Sequence, residues 1–106
     1  MDRNDHPIID HPWEHSLSEV SWGLACDGEL CLDIVLTKGG SERRLRFVRP
    51  QQVRIELSGG YPQECGDMVI IDIRDRGWEG LGVEVAEGGA SGSPVTLYAR
   101  EVLEIK

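Results

Sequence analysis

Between Val20 and Glu104 apolar side chains alternate with polar ones in short runs, separated by turns that carry glycine. A period of two places successive side chains on opposite faces of an extended strand, so repeated alternation selects an antiparallel β domain with one buried face. The predicted architecture is all-β: an antiparallel sandwich or partly open barrel of seven to eight strands over residues 17–106. Residues 1–16 lack alternation, hold all three histidines and two prolines, and read as a short irregular or helical N-terminal arm. Pro12 suits the first position of a helical turn there, with Asp10 or His11 as its cap.

Parity assigns the faces. Val20, Trp22, Leu24 and Cys26 share one face of the first strand, and Leu30, Leu32, Ile34 and Leu36 one face of the second. Merging these faces requires an odd loop, Asp27-Gly28-Glu29, with Cys26 opposite Leu30. A two-residue turn at Gly40-Ser41 places Leu45 opposite Leu36. After Val53, Ile55 and Leu57 comes the longest irregular connection, 58–67, the most promising binding loop by length. A three-residue loop, Asp75-Arg76-Gly77, then sets Ile71 opposite Leu81 and Val69 opposite Val83. Leu32, Ile34, Leu45, Phe47, Ile55, Ile71, Leu81 and Val83 are the expected core, with Asp33 and Asp72 on the solvated side.

The chain of 106 residues is sized for one domain. Its start, Met1-Asp2-Arg3-Asn4-Asp5-His6, is acidic where a secretory signal would be basic, and no apolar stretch approaches the ~20 residues that span a bilayer. These features predict a cytoplasmic protein without a membrane partner. Cys26, Cys31 and Cys65 are odd in number and lack a Cys-x-x-Cys pair, which points to reduced, partly buried thiols. A net charge of −8 argues against nucleic acid, whose phosphates require clustered Lys and Arg. Five arginines against one acid lie between Glu42 and Arg54, a local excess of four positive charges that leaves twelve net negative charges for the rest. Such a surface attracts a basic protein. Arg44 and Arg46 should pair with acids on a neighbouring strand, such as Glu56.

Candidates for chemistry are few. His11 and His15 are spaced i, i+4, but His-Pro-Trp-Glu-His lacks the inner Glu-x-x of a zincin. A mobile solvated arm is the simpler reading, and its removal through residue 12 ought to leave the melting temperature unchanged. The Gly88–Ser93 stretch lacks the Gly-Lys-Ser/Thr ending of a phosphate loop, and no Gly-x-Ser-x-Gly elbow is present. No catalytic residue, metal site or cofactor is therefore assigned. Trp78 has the wrong parity for the core and falls opposite Arg74 in the expected hairpin. It either stacks on that guanidinium or anchors a partner, being a residue type favoured at interface hot spots.

Trp22 in an early strand, aspartates in strand middles, and Trp78-Glu79 followed by Gly80 resemble the all-β immunity proteins of bacterial polymorphic toxin systems, one family of which carries a Trp-Glu pattern. The resemblance runs from Trp22 to Tyr98 and leaves out the histidine arm and the arginine strand. It implies a non-catalytic cytoplasmic inhibitor that binds a cognate toxin domain. Trp78, Glu79, Tyr61, Glu64 and Asp67 are the expected partner-binding residues. Two alternatives are a β binding domain with another partner and a small metal-dependent enzyme using His11, His15 and an acid.

Overall fold

The computed structural model describes residues 4–25, 27–57 and 59–105. They form nine strands in two antiparallel sheets: β1 Ser16–Leu24, β2 Leu30–Lys38, β3 Ser41–Val48, β4 Gln51–Ile55, β5 Gln63–Glu64, β6 Met68–Asp72, β7 Val83–Glu87, β8 Val95–Ala99 and β9 Glu101–Ile105. One sheet runs β5-β1-β2-β3-β9 and the other β4-β8-β7-β6, a sandwich without barrel closure. The strand beyond the expected eight is β5, two residues of the long connection that pair with Ser16 and Leu17. Among the described residues no helix is long and apolar enough to cross a membrane.

The core lies between the sheets. Leu17, Leu32, Ile34, Leu45 and Phe47 from one meet Met68, Ile70, Val83, Val85 and Leu97 from the other. A shift in register between Leu17 and Glu19 changes the phase of β1, so Leu17 points inward before the bulge and Val20 after it.

Two hairpins keep their expected faces but not their register. Leu30 pairs with Leu24, not with Cys26, which lies outside the described residues. Ala25 N–H donates to Glu29 O and Gly28 N–H to Ala25 O, closing a longer loop. In the next hairpin Lys38 pairs with Ser41 and Leu45 with Ile34. Its turn is Gly39-Gly40, at φ +59° and +85°, because a two-residue turn of this hand needs positive φ at both central positions.

The third hairpin overturns its predicted parity. Ile70 opposes Val85 and Ile71 opposes Glu84. Residues 73–82 are not a three-residue loop: they form a 3-10 turn at Arg74–Arg76 and a longer excursion. Ile71 therefore faces outward and is half-buried, while Ile55 and Leu81 are half-buried too; Leu32, Ile34, Leu45, Phe47 and Val83 are buried as expected.

The N-terminal segment is docked rather than mobile. Asp5 bridges Ile71, His6 N–H donates to Ile70 O at 2.8 Å, and Asp72 N–H donates to Asn4 O at 2.8 Å. The 3-10 turn Pro12–Glu14, with Pro12 at its first position and His11 as its cap, packs against β6. Ile9 and Pro12 are buried. The unpaired edge of β6 supplies these backbone partners, a demand that the arm's polar sequence conceals.

Asp33 and Asp72 are both buried, not solvated. Asp33 stands directly across from Arg46 and accepts from its Nε and Nη2 at 2.9 Å each, while Arg44 lies 3.8 Å away. Arg44 also meets Glu19, so the arginine strand is neutralised by β1 and β2; Glu56 pairs with Arg54 instead. Asp72 accepts from the backbone and side chain of Arg74, which hold its carboxyl down at about 2.

Candidate partner-binding surface

Trp78 sits on the excursion that follows β6. Gly77 ends the 3-10 turn at φ +70°, and Leu81 N–H donates to Trp78 O at 3.1 Å around Gly80 at φ +75°. Half-buried Leu81 anchors this turn, and Trp78 remains 47% exposed. Its ring centroid lies 5.9 Å from that of Tyr98, and the guanidinium of Arg76, not Arg74, lies 5.1 Å away.

These neighbours form a connected set. Glu84 and Tyr98 oppose each other across β7 and β8, outward of the core. Arg76 Nη1 donates to Glu84 Oε1 at 3.1 Å, and burial, then Glu84, push the Tyr98 phenol above its ordinary pKa. The Tyr98 proton is therefore retained as a hydrogen-bond donor. A shallow groove of about 410 Å³ continues along the sheet past Tyr98, Thr96, Ala86 and Arg54. Arg54 is held by Glu87 at 3.1 Å and Glu56 at 3.4 Å. The surface thus presents an aromatic pair on a fixed ionic base.

The remaining predicted residues sit elsewhere. Glu79 is exposed beside Trp78, and Tyr61 is 46% exposed on the long connection. Glu64, in β5, borders a groove of about 640 Å³ with Glu56, Gln63, Glu87, Ser91 and Pro94. Asp67 clamps the glycine-rich loop: its N–H donates to Gly92 O, its carbonyl accepts from Gly88 N–H, and its Oδ2 accepts from Ser91 N–H, each at 2.7 Å. A Cβ at position 89 would stand 2.6 Å from that Oδ2, so the close approach requires Gly89. Asp67 is thereby committed to loop structure, and the groove at Glu64 shares Glu87 with the groove that runs past Tyr98.

Sequence reasoning passed over Arg76, Glu84 and Tyr98. The alternation of Val95, Leu97 and Ala99 does turn Tyr98 outward, which was the available signal. Alternation also puts Trp22, Leu24 and Leu30 on the face that Leu32 and Ile34 share, yet at this end of the hairpin they are 53%, 69% and 47% exposed.

Every described Lys and Arg is ion-paired. Lys38 meets Glu14, Arg43 meets Glu104, Arg49 and Arg100 converge on Glu29, and the others are paired as above. Among the described residues Asp75 and Glu79, on either side of Trp78, face no Lys or Arg. His15 Nδ1 lies 3.2 Å from His11 O, and the His11 ring packs against Trp13. No group of three or more His, Cys, Asp or Glu gathers among the described residues. The two described cysteines are buried and free, and burial raises the Cys65 thiol to about 12. No protein-family model, curated protein or solved structure matches the chain.

Proposed function

We propose that this protein is a non-catalytic inhibitor of the immunity type, acting in the cytoplasm by covering the working surface of a basic bacterial toxin domain. The observation that carries this reading is the half-exposed Trp78, backed by Tyr98 and Arg76 and flanked by Asp75 and Glu79. An aromatic ring held by neighbours loses little conformational entropy on docking, and surrounding acids favour a basic partner. The pairing of the described cations with carboxylates leaves little free positive charge with which to hold a polyanion. Glu79 joins Trp78 in the proposed contact; Tyr61 and Glu64 form a second, peripheral one.

The test is co-expression in a sensitive host with the toxin-like product of the neighbouring gene. Rescue of growth and recovery of a complex are expected, and Trp78→Ala should weaken that complex by about 2 kcal/mol, chiefly through faster dissociation. Growth arrest without a recoverable complex would reject the proposal.

A further inference from the structure

The guanidinium of Arg76 sits between an aromatic ring and a carboxylate. Its Cζ lies 5.1 Å from the centroid of Trp78, and its Nη1 donates to Glu84 Oε1 at 3.1 Å. Tyr98 closes a third side: its ring centroid is 5.9 Å from that of Trp78 at an interplanar angle of 57°, and its hydroxyl donates to Glu84. A ring, a second ring tilted against it and a carboxylate at the base are the parts from which proteins build receptors for organic cations. The chain's own arginine shows which cation the arrangement takes.

Arg76 fills this place incompletely. A guanidinium carries five N–H donors, yet among the described residues this one makes a single side-chain hydrogen bond. Its side chain stays 38% exposed, against 17% for Glu84. The tether is short, because Arg76 ends the 3-10 turn Arg74–Arg76 and Trp78 follows only two residues later. Its head group therefore cannot approach the indole and Glu84 independently of the turn that carries both Arg76 and Trp78. Glu84 does not depend on Arg76 for its own place: β7 carries it, and the Tyr98 hydroxyl holds it from β8. Charge favours a further cation here. Arg74 is taken by Asp72, so Asp75, Glu79 and Glu84 set three carboxylates against one arginine, and the net charge of −8 attracts cations from a distance.

We propose that Trp78, Tyr98 and Glu84 form a receptor for an arginine side chain supplied by the protein partner, and that Arg76 fills it in the free protein. The incoming guanidinium, free of the turn, stacks on the indole and meets the Glu84 carboxylate with two N–H groups, while Arg76 swings into water. Planarity and forked donors favour arginine over lysine, whose ammonium is a compact and strongly hydrated point charge. Exchanging one guanidinium for another leaves Glu84 paired before and after. The chemistry of the receptor stands by itself; only the ownership of the arginine by a toxin domain rests on the proposed function.

Titration with Nα-acetylarginine amide, followed through the indole N–H signal of Trp78 in heteronuclear NMR spectra, tests the receptor without the partner. Arg76 is on the surface, so the fold survives its removal, and Arg76→Ala should tighten binding of this probe at least about threefold, the scale of one exposed cation–π contact. The same variant should bind Nα-acetyllysine amide at least about threefold more weakly than the arginine probe. Adding Glu84→Gln should abolish the gain. Three results would each overturn the proposal: Arg76→Ala binding no tighter than the unaltered protein, the lysine probe matching the arginine probe, or a gain that survives Glu84→Gln. If the titrations behave as expected but no complex forms with the toxin-like gene product, the proposed function falls and the receptor remains.

Discussion

Ile70 and Ile71 are adjacent, identical in composition and opposite in surroundings. Ile70 projects between the sheets, whereas Ile71 faces the docked N-terminal segment and is half-buried. An aspartate at position 70 would place an unpaired charge among Met68, Val83 and Val85, so Ile70→Asp should abolish the folded state; Ile71→Asp should cost about 1 kcal/mol and leave a cooperative melt. Circular dichroism melts of the two variants check this, and the reverse order of stability would invalidate the face assignment. The distinction was not legible in the sequence because Met68-Val69-Ile70-Ile71 is apolar throughout and has no alternation to read. Its phase depended on the following loop, and the tight-turn residues Asp75-Arg76-Gly77 instead build a 3-10 turn and its cap. Where alternation was clean, as at Leu32, Ile34, Leu45 and Phe47, burial followed from parity alone. Trp78 was legible as an outward residue, but its support was not, since Tyr98 comes from a strand twenty residues on.

The N-terminal segment behaves as an added edge for the four-stranded sheet. Its polar composition suggested a solvated arm, yet Ile9 and Pro12 are buried and its backbone caps β6. Deleting residues 1–12 removes the burial of Ile9, worth about 2–3 kcal/mol, along with these backbone bonds, and should lower the melting temperature by roughly 10 °C in calorimetry. His6 makes the docking pH-dependent. Its Nδ1 accepts the Ile8 N–H at 3.1 Å and so must be unprotonated. Burial, as the largest influence, lowers the His6 pKa from 6.5; Asp72 pulls it back up, and Arg74 lowers it further. Because the folded pKa lies below the unfolded one, this contribution is present above pH 6.5 and is lost as pH falls below it. Asp72, held down at about 2, stays ionised across that window and does not mask the effect. The difference in melting temperature between full-length and truncated protein should therefore shrink from pH 8 to about pH 5. A constant difference would show that His6 does not govern the docking. The helical turn at Pro12 was legible from its residues; the strand edge that receives the segment was not, because that requires knowing which strand ends the sheet.

At the scale of the whole molecule, the excess of acid could be read directly from the sequence, whereas its arrangement could not. The arginine-rich stretch suggested a local basic field, but its partners come from distant positions: Arg43 meets Glu104, Arg46 meets Asp33, and Arg54 meets Glu87. Folding thus cancels the concentrated positive charge and leaves the net −8 to carboxylates such as Asp75 and Glu79, which flank Trp78. The exposed pairs among these, such as Arg54 with Glu87, contribute little individually to stability, and the Arg46–Asp33 pair is shielded by burial, so salt should change the melting temperature only slightly. Association is different, because steering depends on the long-range field of both molecules and is screened over about 10 Å at 0.1 M salt. If the partner is basic, its association rate constant should fall at least about tenfold between 50 and 500 mM salt, while dissociation, governed by contacts around Trp78, changes much less. Stopped-flow fluorescence of the tryptophans can separate the two rates. An association rate insensitive to salt would mean that the acidic surface does not guide the encounter, and the partner would then have to be recognised through the apolar patches alone.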